Sequence, residues 1–166
     1  MIISNTSPLI YLAKLNKLEL VRELFNKIII PKEVYDEVIK GKEEKYFDAI
    51  KIENSVKNGL IEVKEITIGK ELKEFAPEID IGELSVIQLA LKLKPEMILI
   101  DDASARAIAE SFGFNVKGTL YVLLKGFRKK MIDKKQIKIL LNDIVTAGFR
   151  ISSELYGGVL EEIDKG

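Results

Sequence analysis

The chain has 166 residues, one domain's length, with 47% hydrophobic and 31% charged side chains and with neither cysteine nor histidine. Disulfide frameworks, thiolate or imidazole metal sites, cysteine nucleophiles and the Ser-His-Asp triad are thereby excluded, which leaves oxygen ligands of the kind that suit Mg²⁺, Mn²⁺ or Ca²⁺. Lys plus Arg and Asp plus Glu both number 26, and a formal net charge of zero argues against a protein that coats DNA nonspecifically.

Residues 1–4 form a short apolar segment. With no basic region and no small-residue cleavage site there, a signal peptide is not expected and the chain reads as cytosolic. Ser7-Pro8 reads as an N-cap and a first-turn proline, opening a helix through about Leu15. A second short helix carries Leu18, Val21, Leu24 and Phe25 on one face. The β-branched run Ile28-Ile29-Ile30 stops at Pro31, after which Val34, Val38 and Ile39 mark a helix that Gly41 should end. A further helix is expected over 44–57, then a turn at Asn58-Gly59 and an alternating strand over 61–66. Asp80 launches a helix with Leu84, Ile87, Leu89, Ala90 and Leu91. Residues 97–100 read as a buried strand that stops at two aspartates; it is far shorter than the ~20 residues of a membrane span. Asp102 begins a helix ending near Gly113, and 114–116 is a short strand. The remainder, about 118–164, is mostly helical, broken by Asp133, Gly148 and Gly157-Gly158. Few, apolar strands alternating with helices mean an α/β fold with a parallel sheet covered on both faces.

Ligands of such sheets sit outside the carboxyl ends of the strands. Asn5 follows the first strand, Asp101 and Asp102 follow the strand at 97–100, and helices starting at the same edge add Glu37 and Glu83. Carboxylates converging there without His or Cys form a Mg²⁺ or Mn²⁺ cage able to activate water against a phosphodiester. Each residue also has a purely structural reading. Asp80-x-x-Glu83 matches a reciprocal capping box, Asp102 an N-cap, Glu37 a solvated charged face, and Asn5-Thr6-Ser7-Pro8 a turn.

Taken in order, these segments resemble the PIN-domain family. Ile3-Ser4-Asn5-Thr6-Ser7-Pro8-Leu9-Ile10 is similar to the opening of a prokaryotic branch that reads S-[DN]-T-S-P-L. Further similarity lies at Ile30-Pro31-Lys32-Glu33-Val34-Tyr35-Asp36-Glu37-Val38, at Gly82-Glu83-Leu84-Ser85-Val86-Ile87-Gln88-Leu89-Ala90, at Leu99-Ile100-Asp101-Asp102-Ala103-Ser104-Ala105-Arg106 and at Gly118-Thr119-Leu120. The resemblance spans nearly the whole chain. It implies a single three-layer α/β/α sandwich over 1–166 around a parallel sheet of four or five strands, with about 133–166 as a C-terminal helical extension. It also implies Mg²⁺- or Mn²⁺-dependent ribonuclease activity, as in VapC-type toxins of toxin–antitoxin pairs, and a homodimer.

By position, the resemblance puts the family's acids on Asn5, Glu37, Glu83 and Asp102, with Asp101 as an additional metal ligand, and gives Thr6 and Ser7 the support of the first-strand side chain and a metal-bound water. Glu37, Glu83 and Asp102 are then the catalytic set. Asn5 departs from the usual aspartate; its amide offers a carbonyl oxygen but no negative charge. Arg106, one turn after Asp102, Lys117 at a strand end, and Arg128 within the basic cluster 125–130 are candidate contacts for single-stranded RNA. The competing reading is a PIN-fold module, disarmed by Asn5, that binds RNA or a protein partner without cutting. A phosphoryl-regulated receiver domain ranks last, because its acid pair would follow the first strand.

Overall fold

The computed structural model describes residues 1–43 and 46–166, without the side chains of residues 42 and 43. Five strands and ten helices occur among the described residues. In order they are β1 (Ile2–Ser4), α1 (Thr6–Lys14), α2 (Leu18–Phe25), β2 (Ile28–Pro31), α3 (Lys32–Glu43), α4 (Phe47–Lys57), β3 (Ile61–Lys64) and α5 (Lys70–Phe75). There follow α6 (Ile81–Leu93), β4 (Met97–Leu99), α7 (Ala103–Ser111), β5 (Val116–Lys117), α8 (Thr119–Arg128), α9 (Lys134–Thr146) and α10 (Ser153–Lys165).

All five strands are parallel, in the order β3-β2-β1-β4-β5, and helices flank them in the expected α/β/α sandwich. The three inner strands are buried from end to end. A parallel strand covered on both faces reads as a continuous β-branched run, and the isoleucines of β1 and β2 are such a run. In edge strand β3 only Ile61 is buried, and Glu62, Val63 and Lys64 are half-buried, although apolar and charged residues alternate in its sequence. It ends two residues short of the predicted stretch: its last pairing is Pro31 with Lys64, and proline has no N–H with which to extend a ladder.

Other limits differ for identifiable reasons. The N-cap of α1 is Asn5, not Ser7, and its side chain makes no capping bond. Helix α3 runs through Gly41 rather than stopping there; a β-carbon at Gly41 would lie 3.4 Å from the Tyr46 ring, so the glycine admits α4's entry. The predicted start of the next helix at residue 44 lies outside the described residues. Strand β5 starts two residues and ends one residue later than predicted, and α5, with Leu72 its buried residue, is an additional helix. Gly157-Gly158 does not interrupt α10, in spite of the roughly 1 kcal/mol that each glycine costs a helix relative to alanine.

By internal contact the chain divides into two compact units, Met1–Thr119 and Leu120–Gly166. The first holds the whole sheet. In the second, α9 opens with a full capping box between Asp133 and Gln136, and Arg128 of α8 grips Glu162 of α10 through two bonds of 2.6 and 2.9 Å. Val159 and Ile163 of α10 are buried, Tyr156 and Leu160 half-buried, and Leu155 is 52% exposed. No helix among the described residues is long and apolar enough to cross a membrane.

Ile98 on β4 is fully buried, whereas Phe47 at the start of α4 is 79% exposed. Ile98→Ala should therefore cost about 3–4 kcal/mol in urea unfolding, and Phe47→Ser less than about 0.5 kcal/mol.

Candidate functional site

Strand β1 has β2 on one side and β4 on the other, so the chain winds outward in opposite directions from it. The carboxyl ends of β1 and β4 thus flank the sheet's switch point, where a crevice forms. Backbone pairing continues just past the strands, from Asn5 N to Leu99 O and from Ile100 N to Lys117 O, each 2.9 Å. These bonds set Asn5, Asp101 and Thr119 along one edge.

Helices α3 and α6 pack on each other, and α6 packs on β1 and β2. The starts of these two helices bring two acids to the Asn5 side. Glu37, one and a half turns into α3, accepts a 2.6 Å bond from the Thr6 hydroxyl, which fixes an otherwise exposed carboxylate. A β-carbon at Gly82 would lie 3.3 Å from Glu37 Oε2, 3.3 Å from Asp80 Oδ1 and 4.0 Å from Asn5 Oδ1. Three oxygens from three elements therefore crowd one glycine backbone, beside a cavity of about 420 Å³ lined by Glu37, Asp80 and Gly82.

Glu83 is the buried acid of the group, only 9% exposed. Asp80-x-x-Glu83 interacts as the expected capping pair, with Asp80 the firmer half. The Asp80 side chain accepts from Glu83 N at 2.8 Å, and in return the Asp80 backbone N–H favours the ionised Glu83 carboxyl, an effect that burial outweighs. Capping explains Asp80 and leaves the Glu83 carboxyl to the interior. Burial pushes that carboxyl up to about 7, with the charges of Asp80, Asp102 and Glu37 adding to the shift. Glu83 thus feels the charges of both Glu37 and Asp102.

The adjacent aspartates part company. Asp102 faces solvent and caps α7, its Oδ1 accepting from Ala105 N at 2.9 Å. Asp101 turns inward and accepts three bonds: from Thr119 N at 2.7 Å, the Thr119 hydroxyl at 2.7 Å and the Ser7 hydroxyl at 3.0 Å. Arg106 donates to the Ile100 carbonyl at 3.0 Å. Gly118 makes this packing possible, since a β-carbon there would fall 2.7 Å from Asp101 Oδ1 and 2.9 Å from Arg106 Nη2. Lys117 is half-buried at the end of β5, and Arg128 is committed to Glu162 in the second unit. Thr6 and Ser7 thus hold Glu37 and Asp101. Thr119, Gly82 and Gly118 went unassigned in the sequence, although Gly118-Thr119 stands directly after a strand.

Among the described residues no three acidic side chains stand close enough together to hold a metal ion. In donor type and charge the residues nevertheless fit a hard divalent cation. All donors are oxygens, and a carboxyl held protonated to near neutrality by burial and by neighbouring carboxylates is relieved by such a cation.

Two outcomes follow from this packing. Because the Glu83 value lies above the ordinary 4.5, the folded chain binds that proton more tightly than the unfolded one. Its contribution is full below about pH 4.5 and lost as pH rises through about 7. In EDTA, urea stability should fall by up to about 3 kcal/mol across that window, and Glu83→Gln should remove the fall. Gly118→Ala should displace the bonded Asp101 carboxylate and cost about 1–3 kcal/mol in the same assay.

Compared with curated proteins, the chain has no match. A family model described as PIN domain matches residues 1–165. Joined to the parallel sheet and the acids at its switch point, that match means that the chain belongs to the PIN-domain family.

Proposed function

We propose that the chain is a Mg²⁺- or Mn²⁺-dependent endoribonuclease that hydrolyses phosphodiesters of single-stranded RNA. PIN domains have a nuclease-type fold and generally use divalent metal ions. The observation that carries the proposal is the Glu83 carboxyl, buried at the switch point among Asp80, Asp102 and Glu37 and pushed up to about 7. Negative charge gathered and partly desolvated in this way costs stability, which a fold retains where a cation or a proton transfer needs it.

Glu37, Glu83 and Asp102 would hold the metal once it draws their side chains together, with the Asn5 carbonyl oxygen as a weaker donor. When bound, such an ion acidifies a water molecule and stabilises the charge growing on the phosphoryl oxygens. The chain's own residues do the rest. Thr6 fixes the Glu37 carboxylate, the Asp80 cap holds the first turn of α6 and with it Glu83, and a carboxylate of the set takes the proton from the attacking water. Asp101 stands outside the set, because both its oxygens are bonded to Ser7 and Thr119. Within the same proposal the chain acts in the cytoplasm as a homodimer and, where a small antitoxin protein captures it, as the toxin of a pair. Light scattering and co-purification from the native host test those extensions.

The decisive assay is cleavage of labelled single-stranded RNA with Mn²⁺. Cleavage is expected, and both EDTA and Asp102→Asn should abolish it. Asn5→Asp should tighten Mn²⁺ binding about tenfold, since it adds a negative charge at the cation. No cleavage by the wild type, with cleavage by Asn5→Asp, would establish the disarmed binding module instead.

A further inference from the structure

The switch-point crevice has two walls. One is the start of α1, which leaves β1 at Asn5; the other is the turn after β4, which carries Asp101 and Asp102 into α7. The backbone bond from Asn5 N to Leu99 O joins the two walls at the end of the sheet, and beyond it the connections leave the parallel strands β1 and β4 in opposite directions. The Ser7 hydroxyl supplies a side-chain bond there, donating to Asp101 Oδ2 at 3.0 Å. Asp101 is in turn tied by both oxygens to Thr119, through the backbone N–H and the hydroxyl, each at 2.7 Å. Ser7 lies two residues after Asn5, and Asp101 lies one residue before Asp102. Three separate segments are thus pinned to one carboxylate, between two of the side chains proposed to hold the metal.

We propose that Asp101 is a positioning residue, a strut whose bond to Ser7 sets the distance between Asn5 and Asp102 and so the affinity of the centre for a divalent cation. The assignment rests on the reading of the site as a metal centre. It replaces the role of additional ligand that the resemblance gave Asp101.

A strut and a ligand differ in what they need from this side chain. A carboxylate ligand contributes its negative charge, which an asparagine forfeits along with the affinity that charge supplies. A strut needs the shape and the bonds, and an asparagine supplies both. Its Oδ1 accepts from Thr119 N as the aspartate does, and its amino group replaces Oδ2 opposite the Ser7 and Thr119 hydroxyls. A hydroxyl rotates freely between donating and accepting, so those two bonds reverse direction and persist. Ser7→Ala removes the cross-crevice bond alone and leaves the Thr119 anchorage in place.

The test titrates Mn²⁺ into the full chain by calorimetry and compares wild type, Asp101→Asn, Asp101→Ala, Ser7→Ala and Ser7→Thr. Outer-shell partners of ligands are typically worth about ten- to a hundredfold in metal affinity. Ser7→Ala should therefore weaken Mn²⁺ binding about tenfold, Ser7→Thr should restore it, and Asp101→Asn should stay within about threefold of wild type. Asp101→Ala should lose the most. In parallel, the Asn5 side-chain amide is followed by NMR in EDTA, where its resonance should move in Ser7→Ala and hold in Asp101→Asn. The strut is overturned if Asp101→Asn damages Mn²⁺ binding as much as Asp101→Ala, or if Ser7→Ala leaves both the Mn²⁺ affinity and the Asn5 resonance unchanged. Absence of Mn²⁺ binding by the wild type would sink the metal reading of the site, and the role proposed for Asp101 in cation affinity with it. The Asn5 resonance in EDTA would still decide whether the Ser7 bond sets the crevice.

Discussion

A strand of three residues, Ile2–Ser4, lies at the middle of the sheet with β2 on one side and β4 on the other, and every group discussed above takes its place from that position. Ile2 and Ile3 bury both their faces, which holds β1 where its carboxyl end meets that of β4. The register Ser4 with Leu99 then dictates that Asn5 and Asp101 emerge at the same edge. Parallel strands need crossovers, so the helices following β2 and preceding β4 start near the same edge, and the second turn of α3 and the first turn of α6 bring in Glu37 and Glu83. Acids far apart in the chain are gathered by strand order alone.

The cost of that gathering falls on Glu83. Its neighbours are other acids, and its first turn is already capped by Asp80. A hydrogen bond from the Asp80 backbone favours the ionised form of its carboxyl but does not outweigh burial. That carboxyl is shielded from water and repelled by charges from α3, α6 and the turn after β4, so it holds its proton to near neutrality. The cluster is a compromise that the isoleucine core can sustain, since burial of the inner strands exceeds by far what one displaced proton costs.

The chain's pattern made the inner strands and most helices legible because their signals are strong and local. Ile28-Ile29-Ile30 and 97–99 are unbroken apolar runs of strand length, and Asp80, Asp102 and Asp133 are helix caps. Glycines misled where their reason is tertiary. Gly41 continues a helix because Tyr46 packs close to it, and Gly118 is required by Asp101 and Arg106, neither of them adjacent to it in the chain. The short helix α5 buries Leu72 and little else, too weak a stripe to stand out. Asp101 and Asp102 were readable as a strand-end pair but not as two different residues. Which one turns inward depends on the pleat of β4 and on Thr119, eighteen positions from Asp101.

Asn5 fits into this electrostatic picture. It is only 7% exposed, and its Oδ1 lies beside the same Gly82 that Glu37 and Asp80 crowd. An aspartate there would put another charge into a cluster whose buried member already resists ionisation. The amide keeps an oxygen in the same place and omits the charge, so it relieves the repulsion among Glu37, Glu83 and Asp102 when no cation is present. The same omission weakens the pull on a cation. In the proposed metal centre, a stability gain in the metal-free fold and a loss of cation affinity would be two faces of one substitution. Because that balance hangs on the spacing of the remaining oxygens, the bonds that fix spacing matter more here than they would beside a fourth carboxylate. That places the weight on Thr6, which fixes Glu37, and on Ser7, which spans the crevice to Asp101.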